Sequence, residues 1–216
     1  MALRIAVTAE PIPSHVSALD FVMARAVRRT VAAFRTTVPE RPDRPASSRP
    51  LVYVSLGTLT TAMSGLRGVV RSVYREVMAA LSATGCEAIV SAGHLARDLP
   101  SAGPRITVVE HVPQPTLLRQ VDLFVTHGGR ASLLDAVQAA TPVLGLGVLA
   151  DQPGNTTAFA GHGLGRALEL TATRDEIADT VTALLADSRY AAAMAAADAE
   201  LSRLPPLDIA ELRACV

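Results

Sequence analysis

The chain has 216 residues, half of them hydrophobic and 19% charged, which suits one ordinary globular domain with room for a small appendage. Basic and acidic residues number 20 each, so the net charge is zero and the basic excess of a nucleic-acid-binding chain is missing. Cys86 and Cys215 stand far apart with no CxxC or Cys/His ligand spacing, so neither a metal site nor a disulfide framework is expected.

Residues 3–8 read as a short strand. Pro11 and Pro13 force a loop after it, with His15 just beyond. Residues 16–37 carry apolar side chains at three- and four-residue spacing, the mark of an amphipathic helix. The stretch 39–50 contains Pro39, Pro42, Pro45 and Pro50 among charges, and reads as a semi-extended linker. The chain therefore divides into a strand-helix appendage (1–38), a linker (39–50) and a main domain (51–216). In the main domain, strands are expected at 51–56, 88–90, 106–109, 123–125, 142–146 and 167–170. Between and after them lie helices at 69–82, just after Pro115, and at 131–139, 155–161, 174–186 and 190–204. Continuous apolar strands alternating with helices predict an α/β domain, a doubly wound parallel sheet covered on both faces. The longest apolar runs are too short to cross a bilayer, and residues 1–9 lack the basic start and cleavage site of a signal peptide, so a cytoplasmic location is expected.

In such a sheet, ligands bind at the carboxyl ends of the strands. There the sequence places Gly57-Thr58, His111-Val112-Pro113-Gln114, His127-Gly128-Gly129 with Ser132 and Asp135, and Asp151-Gln152. Together these loops make a polar crevice. Gly128-Gly129 opening a helix would supply free N–H groups for an anion. Each piece also has a plainer reading. The glycines fit a tight strand-to-helix turn, Ser132 and Asp135 a helix cap, His127 a hydrogen-bonded core histidine, and Asp151-Gln152 a turn. A dinucleotide site needs a glycine-rich turn directly after the first strand, which Gly57-Thr58-Leu59-Thr60-Thr61 does not provide. The run Gly161-His162-Gly163-Leu164-Gly165 precedes a strand instead of following one.

The constellation of Val52 to Thr58, Val112-Pro113-Gln114, His127-Gly128-Gly129, Ser132, Asp135, Pro142 and Asp151 to Asn155 resembles a known family. Residues 51–213 look like the C-terminal, donor-binding domain of the UDP-glycosyltransferase family, particularly its bacterial natural-product enzymes. The resemblance implies a Rossmann-like half of a GT-B fold and inverting transfer from a UDP- or dTDP-sugar to a small-molecule hydroxyl, with no further cofactor. It implies that His127, Gly128, Gly129, Ser132 and Thr58 hold the diphosphate. Asp135 would take the ribose, Val112 and Gln114 the base edge, His111 a stacking place on the base, and Asp151 and Gln152 the sugar. Arg130, Ala131, Thr141 and Thr156 depart from the usual residues. Arg130 is either a cation near the diphosphate or a solvent-facing side chain. Residues 3–8 and the segment Ser14 to Leu19 resemble the family's opening strand and Gly-His-Val loop, which makes His15 the candidate catalytic base. Ser14 and Ala18 replace the loop's usual Gly and Pro. The acceptor-binding domain expected between that loop and the linker is missing, so the acceptor side would come from a dimer mate or a partner. The alternative is a non-catalytic protein that only binds a nucleotide sugar.

Overall fold

The computed structural model describes residues 49–203. The expected strand at 3–8, His15, the helix at 16–37, the linker up to Ser48 and the end of the last helix at Leu204 lie outside the described residues.

The strands are β1 (Leu51–Ser55), β2 (Glu87–Ser91), β3 (Ile106–Val109), β4 (Leu123–Thr126), β5 (Val143–Leu146) and β6 (Gly165–Leu168). The helices are α1 (Thr58–Ala62), α2 (Arg67–Thr84), α3 (Gln114–Leu118), α4 (Arg130–Gln138), α5 (Gln152–Gly161), α6 (Arg174–Ala186) and α7 (Ser188–Ser202). All the strands join one parallel sheet in the order β3-β2-β1-β4-β5-β6. That is the doubly wound arrangement the sequence predicts.

Both faces of the sheet are buried, and the strands alternate between two cores. Val52, Val54, Val90, Val125 and Leu144 face one core, with Val73, Val77, Met78 and Leu81 of α2 and Ile177 and Val181 of α6. Tyr53, Phe124 and Val143 face the other, with Leu133 and Val137 of α4, Phe159 of α5, and Met194 and Leu201 of α7. Each fully buried side chain of this size contributes about 1.5–3 kcal/mol. The Tyr53 and Phe124 rings, opposite each other on adjacent strands, stack with centroids 5.0 Å apart. Only Asp187 separates α6 from α7, yet the two helices pack in opposite cores. Asp187 is extended there, and its carboxylate accepts from the Arg189 N–H at 3.0 Å, capping the new helix.

Most element ends agree with the sequence reading to within two residues, and the differences at α5, β6 and the shortest helices have local causes. Helix α5 begins at Gln152 and not at 155, because Pro153 sits in its first turn, where a missing N–H costs nothing. Strand β6 occupies 165–168 rather than 167–170: Gly165 enters the sheet at a point where any Cβ would collide with the Val143 backbone. Helix α1 and the 3-10 turns Ser64–Leu66 and Gly93–Asp98 are too short to show periodicity in sequence.

Candidate functional site

Adjacent strands β1 and β4 send their connections to opposite sides of the sheet, so a crevice opens between their carboxyl ends. It holds a cleft of about 430 Å³. Its floor is made possible by small residues. Ser91, Ser55, Thr126 and Gly145 share one register level across β2, β1, β4 and β5, and Ser55 and Ser91 line the cleft.

His127 follows β4 directly and is only 8% exposed. Its Nδ1 lies 3.3 Å from the Thr126 hydroxyl. Two glycines flank the ring. A Cβ on Gly57 would stand 2.6 Å from its Cε1 and Nε2, and one on Gly129 2.5 Å from Nε2. Burial lowers the His127 pKa, opposed by a hydrogen bond to the Ser55 backbone and by the Asp151 charge. The ring therefore enters the cleft as a neutral, fixed imidazole.

Helix α4 starts at the same place. Gly129 is its N-cap and no side chain caps it. The Leu133 N–H bonds back to the Gly129 carbonyl, so the N–H groups of Arg130, Ala131 and Ser132 have no partner inside the helix. Gly129 to Ser132 line the cleft, and the helix dipole is positive at this end. The capping reading of Ser132 and Asp135 does not hold, since both lie inside the helix. Both instead meet Gln114, whose Nε2 donates to Asp135 Oδ2 at 2.8 Å and reaches Ser132 Oγ at 3.5 Å. The Tyr53 hydroxyl donates to Gln114 Oε1 at 3.4 Å. Burial raises the Asp135 pKa, and the Gln114 bond pulls it back down. His111 is exposed at the rim beside half-buried Val112. Thr58 is exposed at the start of α1.

The remaining candidates stand at the side of the cleft. Gly128 has φ +80°, and a Cβ there would run into the Thr156 methyl. Asn155 Nδ2 donates to the Gly128 carbonyl and to Asp151 Oδ2, each at 3.1 Å. Arg130 Nε sits 3.8 Å from the same Asp151 oxygen. Gln152 turns into its own loop, its Oε1 accepting from the Val148 and Leu149 N–H groups at 3.1 and 3.0 Å. The cleft thus gathers Thr58, His111, Val112, Gln114, His127, Gly129 and Ser132, with Asp135 behind Gln114 and Asp151 beside Arg130. Sequence reasoning gave no site role to Tyr53 and Ser55, which it read only within the Val52 to Thr58 motif, or to Ser91, whose signal was its place at a strand's carboxyl end. Among the described residues, no group of three His, Cys, Asp or Glu is placed to hold a metal ion.

A parallel sheet in this order, with a crevice at its switch point, defines a Rossmann-like domain of the kind found in GT-B glycosyltransferases. Residues 75–214 match the erythromycin biosynthesis protein CIII-like C-terminal domain, and the chain belongs to that family of glycosyltransferase domains. It is 32% identical over 194 residues to a zeaxanthin glucosyltransferase of Pseudescherichia vulneris, a match covering 88% of this chain and 46% of that one. It is 34% identical over 205 residues to the elloramycin glycosyltransferase ElmGT of Streptomyces olivaceus, covering 92% and 50%. Among solved structures, the spinosyn rhamnosyltransferase SpnG complexed with thymidine diphosphate shares the fold, with a TM-score of 0.66 at 24% identity over 79% of this chain and 47% of that one. The chain spans about half the length of the curated relatives it matches.

Proposed function

We propose that the cleft binds a UDP- or dTDP-activated sugar, and that the chain serves inverting transfer of that sugar to a hydroxyl of a small-molecule acceptor. The observation carrying this reading is the convergence of three unpaired α4 N–H groups and the clamped His127 on one cleft. In this reading the diphosphate lies at the α4 N-terminus, the ribose toward Asp135 and Gln114, the base near His111 and Val112, and the sugar toward Asp151. Thymidine diphosphate in a neighbour of the same fold supports a nucleoside diphosphate here.

Transfer makes one bond and breaks one. The acceptor oxygen attacks the anomeric carbon as its proton passes to a base, for which His15 is our candidate. The bond to the diphosphate oxygen breaks, and the nucleoside diphosphate leaves with the electron pair. Negative charge grows on that oxygen, so N–H groups fixed at the α4 start stabilise the transition state more than the ground state. The acceptor face would be supplied by a dimer mate or a partner. The buried free thiol of Cys86 fits a reducing cytoplasm.

Thermal-shift titration with UDP and dTDP tests the site. Wild type should be stabilised by at least one of them, and His127→Ala should lose most of that response. A wild type indifferent to both nucleotides would remove the reading. Sugar transfer or donor hydrolysis that disappears in His15→Ala would establish catalysis, whereas binding without turnover would leave a nucleotide-sugar-binding protein.

A further inference from the structure

Arg130 opens α4 at the cleft, and among the described residues lining the cleft it is the only arginine, in a chain without lysine. The α4 N–H groups are neutral, and burial holds His127 toward its neutral form. A diphosphate placed here therefore finds full positive charge in one side chain.

That side chain is engaged without a ligand. Arg130 Nε lies 3.8 Å from Oδ2 of Asp151, with the two side chains 46% and 49% exposed. Asn155 Nδ2 donates to the same Oδ2 at 3.1 Å and to the Gly128 carbonyl at 3.1 Å. Asn155 thus ties Asp151 firmly to the glycine turn. The Arg130 contact is longer and open to water, and an ion pair of that kind exchanges readily. A phosphate offers the guanidinium a shorter, charge-assisted and bidentate alternative.

We propose that Arg130 is a positioning residue that passes from Asp151 to the donor's diphosphate, and so frees the Asp151 carboxylate to accept hydroxyls of the sugar. This rests on the nucleotide-sugar reading above. It makes recognition of phosphate and sugar mutually reinforcing, because each ligand group removes the partner that occupies the other's site. The intact nucleotide sugar is then favoured over its fragments.

Titration calorimetry on the full 216-residue chain tests this, using whichever of the dTDP and UDP series wild type binds more tightly. In the thymidine series the probes are thymidine, dTMP, dTDP and dTDP-glucose. Arg130→Met should weaken dTDP about tenfold, flatten its salt dependence and leave thymidine unchanged. Arg130→Lys keeps the charge but not the bidentate fork, and should restore only part of the loss. Asp151→Asn should tighten dTDP by about threefold, having removed a competitor for Arg130, while weakening dTDP-glucose. Both positions are half-exposed, and an unchanged Tm in each variant confirms an intact fold. If Arg130→Met binds dTDP like wild type, or Asp151→Asn fails to tighten it, the exchange is overturned while the cleft reading stands. A wild type that binds none of the probes overturns both.

Discussion

Gly57 and Gly129 press on the His127 ring from two sides, but their backbones differ. Gly57 has φ +82°, so alanine there meets both backbone strain and the imidazole. Gly129 has φ −63°, a value any residue adopts, so alanine there meets only the ring. Gly129→Ala should therefore displace His127 and weaken nucleotide binding with little change in Tm. Gly57→Ala should lose binding and also about 1–3 kcal/mol of stability, read by urea unfolding. Wild-type nucleotide affinity in Gly129→Ala would contradict the clamp. The same ring sets a pH dependence. Its folded pKa lies below the 6.5 of a free imidazole, so below that pH the unfolded chain takes up the proton more readily. The stability carried by neutral His127 is present above pH 6.5 and is lost as the pH falls through the folded value. His162, also lowered by burial, acts with the same sign. Wild-type Tm should fall between about pH 7.5 and 5.5, and His127→Gln should reduce that fall. An equal fall in both proteins would show that His127 is not held neutral.

Among the elements, α2 fixes the cleft from behind. Its Tyr74, fully buried, accepts from the Leu56 N–H at 3.0 Å and donates to the Ser91 carbonyl at 2.8 Å. One hydroxyl thus joins the carboxyl ends of β1 and β2 just below the site. Tyr74→Phe leaves both backbone groups without that partner and should cost about 1–3 kcal/mol in urea unfolding. A loss below a few tenths would mean water satisfies them. The helix bearing Tyr74 was legible in sequence because Val70, Val73, Tyr74, Val77, Met78 and Leu81 repeat at helical spacing. Helix α6 was legible over residues 174–186, and in the structure a capping box joins Thr173 and Glu176 at its start. The strand-end loops with Thr58, Gln114, His127 and Asp135 were legible as motifs. The floor was not, because Ser55, Ser91 and Thr126 align only when β2, β1 and β4 take their register. Nor was the commitment of Gln152 to the Val148 and Leu149 backbone, which depends on the loop's path. Thr156, marked in sequence only as a departure, proves to fill the space left by Gly128 and Gly145.

For the described domain as a whole, the sheet order places every gathered side chain at one edge, and a buried core packs against each face of the sheet. No helix among the described residues is long and apolar enough to cross a membrane. The described domain contains the cleft proposed for the donor, and binding there can be tested without an acceptor. The direct measurement is an amide-resolved NMR titration of the isotope-labelled chain with dTDP or UDP. Saturable shifts should be largest at the N–H groups of Arg130, Ala131 and Ser132, with Gly57 and Thr58 next. No saturable shift would contradict the cleft reading, as would shifts centred on the separate cavity of about 390 Å³ lined by Gly147, Pro153, Thr157 and Glu169.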